Sequence, residues 1–263
     1  NRAVAYKADL KYLLIEVSSI KEGSIAKISD KIILAEELLD SFIEDTLIEK
    51  FNIKLKLEGT ELEGIILKHP LCEEGYDFDV PLLKADFVTT EQGTGFVHIA
   101  PGHGADDFEL GRKHSLPTLE TVEDDGYLKE TLPLFGGLHV LRDNEKMADI
   151  LTENECLIGR GTINHSYPHS WRSKAPLIFR TTPQWFISMD ENDLRKKSLK
   201  SISETNFFPT QGANRLSSMI KTRPDWCISR QRAWGVPIGI FYNKTTLEPL
   251  RDQEVLDRVI KSF

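Results

Sequence analysis

Two histidines and two aspartates lie close together in the sequence: His98, His103, Asp106 and Asp107. Imidazole and carboxylate groups can bind a cationic group, transfer a proton or ligate a metal. His98 and His103 are five residues apart with a proline and a glycine between them, which does not match the four-residue spacing of a helical metal motif. On these local features alone, a tight loop followed by a capped helix explains the residues as well as a functional site does.

The elements around these side chains would bring them together at the end of a strand. Residues 96–99 have the composition of a strand, and glycines lie on both sides of it. A helix is predicted to start near Ala105, because Asp106 and Asp107 would then lie in its first turn, where negative charge is favoured. A dinucleotide-binding GxGxxG fingerprint is excluded, since its third glycine would fall on His98.

Composition sets the broad class of the protein. The chain has 263 residues, of which 40% are hydrophobic and 28% charged, which is typical of a globular protein. No apolar run is long enough to span a bilayer, and the first residues lack the layout of a cleavable signal, so a cytoplasmic location is expected. The net charge of −8 argues against broad non-specific binding of nucleic acids. Three widely separated cysteines indicate neither a disulfide framework nor a zinc motif.

Hydrophobic periodicity predicts short strands separated by frequent turns, with several amphipathic helices. Strands are predicted at 3–6, 12–17, 51–57, 61–68, 79–90 and 177–189, and helices at 35–48, 144–154, 193–203 and 211–221. Such strands favour a barrel or a curled sheet. The segment 226–238 is rich in arginine and tryptophan, including Arg232 and Trp234. That composition fits either a contact to nucleic acid or an anion, or a buried connection with solvated arginines.

Three long strings occur in order along the chain: GTGFVHIAPGHGADDF, HSYPHSWRSKAPLIFRTTPQWFIS and RPDWCISRQRAWGVPI. Together they resemble isoleucyl-tRNA synthetase, and specifically its inserted editing domain, connective peptide 1, with the strand that returns to the nucleotide-binding core. The HIGH and KMSKS signatures of the synthetic active site do not occur. The resemblance therefore implies a domain that hydrolyses misactivated or mischarged valine and does not itself charge tRNA.

The resemblance also implies a fold and a division of the chain. The expected fold is mixed α/β, a β-barrel-centred editing domain with peripheral helices. Residues 1–158 would form the editing core, 159–222 the closing strands and helices, and 223–263 the return segment. The implied partners are the acceptor end of tRNA(Ile), valyl-tRNA or valyl-adenylate, and the remainder of the synthetase, with no membrane partner. No cofactor is implied for editing, whereas ATP and Mg²⁺ would serve the whole synthetase.

Site roles follow from the matching positions of the family pattern. Asp107 would hold the α-ammonium group of the misattached amino acid, and His98 would line the amino-acid pocket and help to exclude isoleucine. An aspartate near a helix start is suited to this, because an ionised carboxylate is what an ammonium group needs. The remaining substrate-binding candidates are Thr94, Gly95, Gly102, His103, Gly104 and Tyr167.

Two departures from the family pattern qualify these expectations. A threonine-rich strand that forms one wall of the family's editing site is absent from this sequence. Ser170 and Ser173 occupy positions where many relatives carry a Cys-x-x-Cys pair, and because hydroxyl groups are poor zinc ligands, no metal is expected. The alternatives are the editing domain of the valine or leucine enzyme, and a module that only binds aminoacyl-adenosine or an RNA end.

Overall fold

A computed structural model describes residues 2–162, 164–231 and 235–262 of the chain. By its internal contacts the chain divides into two units, Asn1–Thr181 and Thr182–Phe263. The three-part division predicted from the sequence, with boundaries at 158/159 and 222/223, stays a prediction. Arg232 and Trp234 of the arginine- and tryptophan-rich segment lie outside the described residues.

The described part of the first unit contains seven strands and three α-helices, and that of the second unit two short strands and three α-helices. In the first unit the order is β1 (Ala3–Tyr6), β2 (Lys11–Ile20), β3 (Lys31–Ala35), α1 (Leu39–Asp45), β4 (Ile48–Glu58), β5 (Ile66–Lys68), β6 (Asp79–Lys84), β7 (Phe96–Ile99), α2 (Ala105–Lys113) and α3 (Asn144–Glu153). In the second unit it is β8 (Phe186–Ile187), α4 (Leu194–Ser203), α5 (Gln211–Thr222), β9 (Trp226–Cys227) and α6 (Gln253–Ser262).

Strand pairing confirms the mixed α/β class and gives an architecture of separate sheets. The first unit has a four-stranded sheet of order β5-β6-β1-β7 and a three-stranded sheet of order β3-β2-β4. Among the described residues these strands do not close into the β-barrel that the family resemblance implied. The reason is the turn at 7–10, where the chain leaves one sheet for the other: β1 pairs with β6 and β7, whereas β2 pairs with β3 and β4.

The cores of the first unit follow from the alternation of apolar residues. Leu13, Ile15 and Val17 alternate along β2 and are buried on one face, where Phe42 of α1 packs against them. In the other sheet, Ile99 at the end of β7 is fully buried and belongs to the same core cluster as Leu110 of α2. This second cluster ties α2 to the end of β7.

The start of β7 is attached to the three-stranded sheet. The hydroxyl of Tyr12 donates to the carbonyl oxygen of Gly95 at 3.0 Å, and the backbone N–H of Ala35 donates to the carbonyl of Thr94 at 2.8 Å. The Tyr12 ring also packs on Phe96, with ring centroids 4.8 Å apart. Residues distant in sequence therefore fix where β7 begins.

Several predicted elements differ in extent from those observed. The helix predicted at 35–48 is shorter, because β3 continues to Ala35 and α1 occupies only Leu39–Asp45. Within the strand predicted at 177–189 only β8 forms. The backbone groups of Phe179 and Thr181 instead bind His103 and Gly102, in the loop that follows β7. Helix α6 was not among the helices predicted from the sequence. No described helix combines the length and apolar character needed to cross a bilayer.

His69 is a buried histidine that should make stability depend on pH. Its ring stacks on Tyr76 with centroids 5.1 Å apart, and its Nδ1 accepts a hydrogen bond from the N–H of Leu71 at 3.1 Å. Burial lowers the pKa of the imidazole below its ordinary value, with the cation of Arg2 acting in the same direction. The unfolded chain then takes up a proton more readily than the folded one, so stability is complete above the ordinary histidine pKa of about 6.5 and falls as the pH drops through it.

The measurement is urea unfolding at pH 7.5 and pH 5.5. We expect the folded protein to lose stability at the lower pH, and the loss to shrink in His69→Asn, whose side-chain oxygen can still accept from Leu71. The matched control is His114→Asn, which alters an exposed histidine. Equal pH dependence in the unaltered protein and His69→Asn would contradict the assignment.

Candidate functional site

The candidate site is built where β7 ends and α2 begins, across residues 100–104, here called the bend. The N–H of His103 donates to the carbonyl of Ala100 at 2.8 Å, which closes the turn. Gly104 is extended and lies just before the helix, and its carbonyl accepts the first helical hydrogen bond, from Phe108, at 2.9 Å. The predicted helix start at Ala105 is thus confirmed.

Asp107 folds back from the helix onto the bend. Its Oδ2 accepts a hydrogen bond from the N–H of Ala100 at 2.8 Å. Gly104 leaves room for this arrangement, since a Cβ there would lie 3.1 Å from the Asp107 carboxyl carbon. In the part of the chain that the structure describes, no protein donor binds the second oxygen, Oδ1. The carboxylate is half-buried in the first turn of α2.

His98 lies near Asp107, on the exposed face of β7. It pairs with Val4 of β1, and its side chain is exposed whereas that of the next residue, Ile99, is buried. Desolvation by the surrounding atoms lowers the pKa of the His98 imidazole, and the carboxylate of Asp107 opposes that shift. Because the side chain still reaches solvent, this desolvation is partial. The neutral imidazole is therefore favoured, beside an acidic group with an open oxygen.

His103 points its ring into protein contacts. Its Nδ1 lies 3.1 Å from the carbonyl oxygen of Phe179, and its Nε2 lies 2.7 Å from the hydroxyl of Thr121. A carbonyl oxygen can only accept, so Nδ1 carries the proton of that bond. Both ring nitrogens are occupied by protein partners. The substrate contact expected through the backbone amides of residues 102–104 stays a prediction.

Gly102 is held by the same two segments of chain. Its carbonyl accepts from the N–H of Thr181 at 2.9 Å, and a Cβ added to it would approach the carbonyl oxygen of Leu119 to 2.5 Å. The hydroxyl of Thr181 is buried without a hydrogen-bond partner among the described residues. The bend therefore lies between residues 119–121 and residues 179–181. Glycine is required at position 102, because a Cβ there would collide with the backbone of Leu119.

Three of the sequence-derived candidates make contacts with residues outside the bend. Thr94 and Gly95 lie at the other end of β7, where they bind Ala35 and Tyr12. The hydroxyl of Tyr167 donates to the carbonyl of Leu177 at 2.9 Å, and its ring contacts the rings of two neighbouring histidines in the sequence. The structure thus places Asp107 against the bend, at Ala100 and Gly104, and places Thr94 and Gly95 at the opposite end of β7. The substrate roles of His98 and Tyr167 stay predictions.

A small cavity of about 120 Å³ also adjoins the bend. Its wall includes Gly102, His103 and Thr121, together with Tyr76 and Phe78, but neither His98 nor Asp107. Within the described ranges, no group of three or more His, Cys, Asp or Glu side chains could hold a metal ion. The groups available for chemistry around the bend are therefore a carboxylate, an imidazole and backbone amides.

Two partners of the bend, Thr121 and the carbonyl of Phe179, could not be predicted from the sequence. They lie 18 and 76 residues from His103 along the chain. Neither belongs to a local motif with the bend, so no spacing rule could connect them. One indirect signal was present: the string that contains Phe179 and Thr181 and the string that contains the bend belong to the same family pattern.

Comparison with known proteins places the chain among the tRNA synthetases. The family model for class I tRNA synthetases (I, L, M and V) matches residues 2–263. The isoleucine–tRNA ligase of Pelagibacter ubique (strain HTCC1062) is 49% identical over 263 residues, which is 100% of this chain and 29% of that protein. The isoleucine–tRNA ligase of Gluconobacter oxydans (strain 621H) is 47% identical over 275 residues, again 100% of this chain and 29% of that protein.

Among solved structures, "The crystal structure of GlLeuRS-CP1" matches with a TM-score of 0.45 and 13% identity. The match covers 62% of this chain and 79% of that one. The chain spans about 29% of the length of the curated relatives named above.

Proposed function

Because the chain belongs to the class I tRNA synthetase family (I, L, M and V), we propose that it is the editing domain of an isoleucyl-tRNA synthetase and hydrolyses misattached valine. The named relatives are isoleucine–tRNA ligases rather than valine or leucine enzymes, which favours isoleucine as the amino acid of the parent reaction. The substrates would be valyl-tRNA(Ile) and valyl-adenylate.

Such an activity answers a physical limit on selection by size. Valine differs from isoleucine by one methylene, and rejecting the smaller side chain from a pocket shaped for the larger one is worth only about 1–3 kcal/mol, a limit for which the isoleucine enzyme is the standard example. A second site that admits valine and excludes isoleucine can remove what the first site lets through.

The carboxylate of Asp107 carries the proposal. One of its oxygens is fixed by the N–H of Ala100 at 2.8 Å, and the other has no protein donor among the described residues. A carboxylate that is oriented yet open on one side can accept a charge-assisted hydrogen bond from the α-ammonium group of an amino acid. His98 is exposed on β7, which leads into the bend, and its ring would line the side of the site that receives the amino-acid side chain.

The reaction needs orientation more than acid–base groups from this chain. Water attacks the carbonyl carbon of the ester, a C–O bond to that water forms, and the bond to the ribose oxygen breaks. The proton lost by the water ends on the released ribose oxygen, and the adjacent ribose hydroxyl can relay it. Asp107 would hold the ammonium end, while backbone amides of Gly102 and Gly104 approach the ester, so the reacting carbonyl is fixed relative to the water.

The other components of the full reaction would come from outside this chain. The acceptor end of tRNA(Ile) would be delivered to the site, and the remainder of the synthetase would use ATP and Mg²⁺ to attach isoleucine. The described residues contain no set of metal ligands for that Mg²⁺. The compartment proposed for this activity is the cytoplasm.

His98→Ala tests the proposed function through its selectivity. In the full-length protein we expect the unaltered enzyme to hydrolyse valyl-tRNA(Ile) and spare isoleucyl-tRNA(Ile). Removing the imidazole should raise hydrolysis of isoleucyl-tRNA(Ile) by about 10-fold or more. The reason is that a steric contact that excludes one methylene is worth about 1–3 kcal/mol, which corresponds to about 10- to 200-fold in rate. The measurement is the release of radiolabelled amino acid from each tRNA.

The matched control is His114→Ala, an exposed histidine just after the last residue of α2, which should leave both rates unchanged. If the unaltered protein leaves valyl-tRNA(Ile) as stable as isoleucyl-tRNA(Ile), the proposed function is wrong. If valyl-tRNA(Ile) is hydrolysed but His98→Ala still spares isoleucyl-tRNA(Ile), the function stands and only the role of His98 in excluding isoleucine is wrong.

A further inference from the structure

We propose that His103 is a positioning residue for the hydrolytic site, and that Thr121 is its partner; the inference rests on the proposed function. His103 is the residue of the bend whose side chain reaches both neighbouring segments, at Phe179 and at Thr121. It would touch no substrate atom. Its effect would pass through the bend to the carboxylate of Asp107.

The hydrogen-bond directions assign a tautomer to the ring. The Phe179 carbonyl accepts from Nδ1–H, at 3.1 Å. In the neutral imidazole Nε2 is then an acceptor, and the hydroxyl of Thr121 donates to it at 2.7 Å. The two bonds leave one orientation of the ring that satisfies both partners, so the position of His103 is set from two sides.

The bend transmits this position to Asp107. The N–H of His103 closes the turn on the carbonyl of Ala100, and the N–H of that same Ala100 holds Oδ2 of Asp107. A change in the turn therefore moves the donor that orients the carboxylate. The bond from Thr181 to Gly102 also holds the bend, but it is formed by backbone groups and survives a change at His103.

A displaced carboxylate would slow the chemical step more than it would weaken binding. An ammonium group can still pair with a carboxylate that has shifted slightly, whereas a misplacement of about 1 Å at the reacting carbonyl can cost up to about 100-fold in rate. His103→Ala should thus lower kcat for valyl-tRNA(Ile) by about 10-fold or more, with KM changing by less than about 3-fold.

Two matched pairs of variants separate the contacts. Thr121→Val removes the hydroxyl but keeps the shape, and should lower kcat by about 3- to 10-fold, whereas Thr121→Ser keeps the hydroxyl and should restore most of the rate. His103→Asn keeps a donor near Nδ1 for Phe179, and should retain more activity than His103→Ala. These rates are measured in the full-length protein, with hydrogen exchange of the Ala100 amide measured alongside.

We expect faster exchange at Ala100 in His103→Ala and Thr121→Val, and near-normal exchange in Thr121→Ser. Unchanged kcat and unchanged exchange in His103→Ala would overturn the inference. A raised KM at constant kcat would also overturn it, since it would make His103 a substrate contact. Equal loss of rate in Thr121→Val and Thr121→Ser would remove Thr121 from the proposal.

Asp107→Ala in the same assay keeps the two proposals apart. If the unaltered protein hydrolyses valyl-tRNA(Ile) and Asp107→Ala does not, the function stands, and the His103 variants decide the positioning role alone. If the unaltered protein shows no hydrolysis, the proposed function and the effect of His103 on rate both fail. Exchange at Ala100 still decides whether His103 holds the bend.

Discussion

Replacing Asp107 with alanine is expected to lower kcat/KM for hydrolysis of valyl-tRNA(Ile) by about 10- to 150-fold. The range corresponds to the loss of one hydrogen bond between charged groups, about 1.5–3 kcal/mol. Asp107→Asn should be nearly as slow, although its amide oxygen can still accept from the Ala100 N–H that now binds Oδ2. The asparagine variant thus separates the charge needed for the ammonium group from the hydrogen bond that orients the side chain.

Asp106 supplies the matched control. It is the preceding residue in the same helical turn, and its side chain is exposed. Asp106→Ala should leave the hydrolysis rate within about 2-fold, since surface changes of this kind have small effects. Steady-state deacylation of radiolabelled valyl-tRNA(Ile) measures all three variants. Rates for Asp107→Ala and Asp107→Asn that match the unaltered protein would show that Asp107 does not hold the ammonium group.

The largest effect on stability is expected at Gly95, where β7 is attached to the other sheet. Gly95 has a φ of +77°, and a Cβ there would lie 2.5 Å from the Cβ of Ala35. Overpacking of this kind costs about 1–3 kcal/mol, and a left-handed backbone costs a non-glycine residue about 1–2 kcal/mol more. Gly95→Ala should therefore reduce the free energy of unfolding by about 2–5 kcal/mol, as measured by urea denaturation.

Gly93 separates the two causes of that loss. Its φ of +81° is close to that of Gly95, but nothing lies within 4 Å of a Cβ built on it. Gly93→Ala should lose only the backbone contribution, about 1–2 kcal/mol. Equal losses in the two variants would mean that the contact with Ala35 contributes nothing to the destabilisation by Gly95→Ala.

The parts of the site that sequence could predict are those governed by local rules. β7 follows from its apolar and β-branched residues between glycines, and the start of α2 follows from Asp106 and Asp107 in the first turn. These signals act within a few residues and placed Asp107 beside the end of β7. Its bond to the Ala100 N–H follows from the same short turn.

The rest depends on contacts that no local rule encodes. Gly95 is needed because Ala35 packs against it, and His103 is occupied because Phe179 and Thr121 reach it. Each partner lies tens of residues away or in a segment without regular structure. The same limit applies to the barrel: short strands predict many turns, but the strands that pair across them are chosen by long-range packing.

The backbone bond between Thr181 and Gly102 decides where this chain can be shortened. A truncated protein ending at residue 158 would keep every residue of the bend, β7 and α2. It would lose Thr181, which binds Gly102, and Phe179, which binds His103. Such a fragment would expose two unpaired groups of the bend, so the shortest fragment suited to expression and crystallisation retains the chain through Thr181.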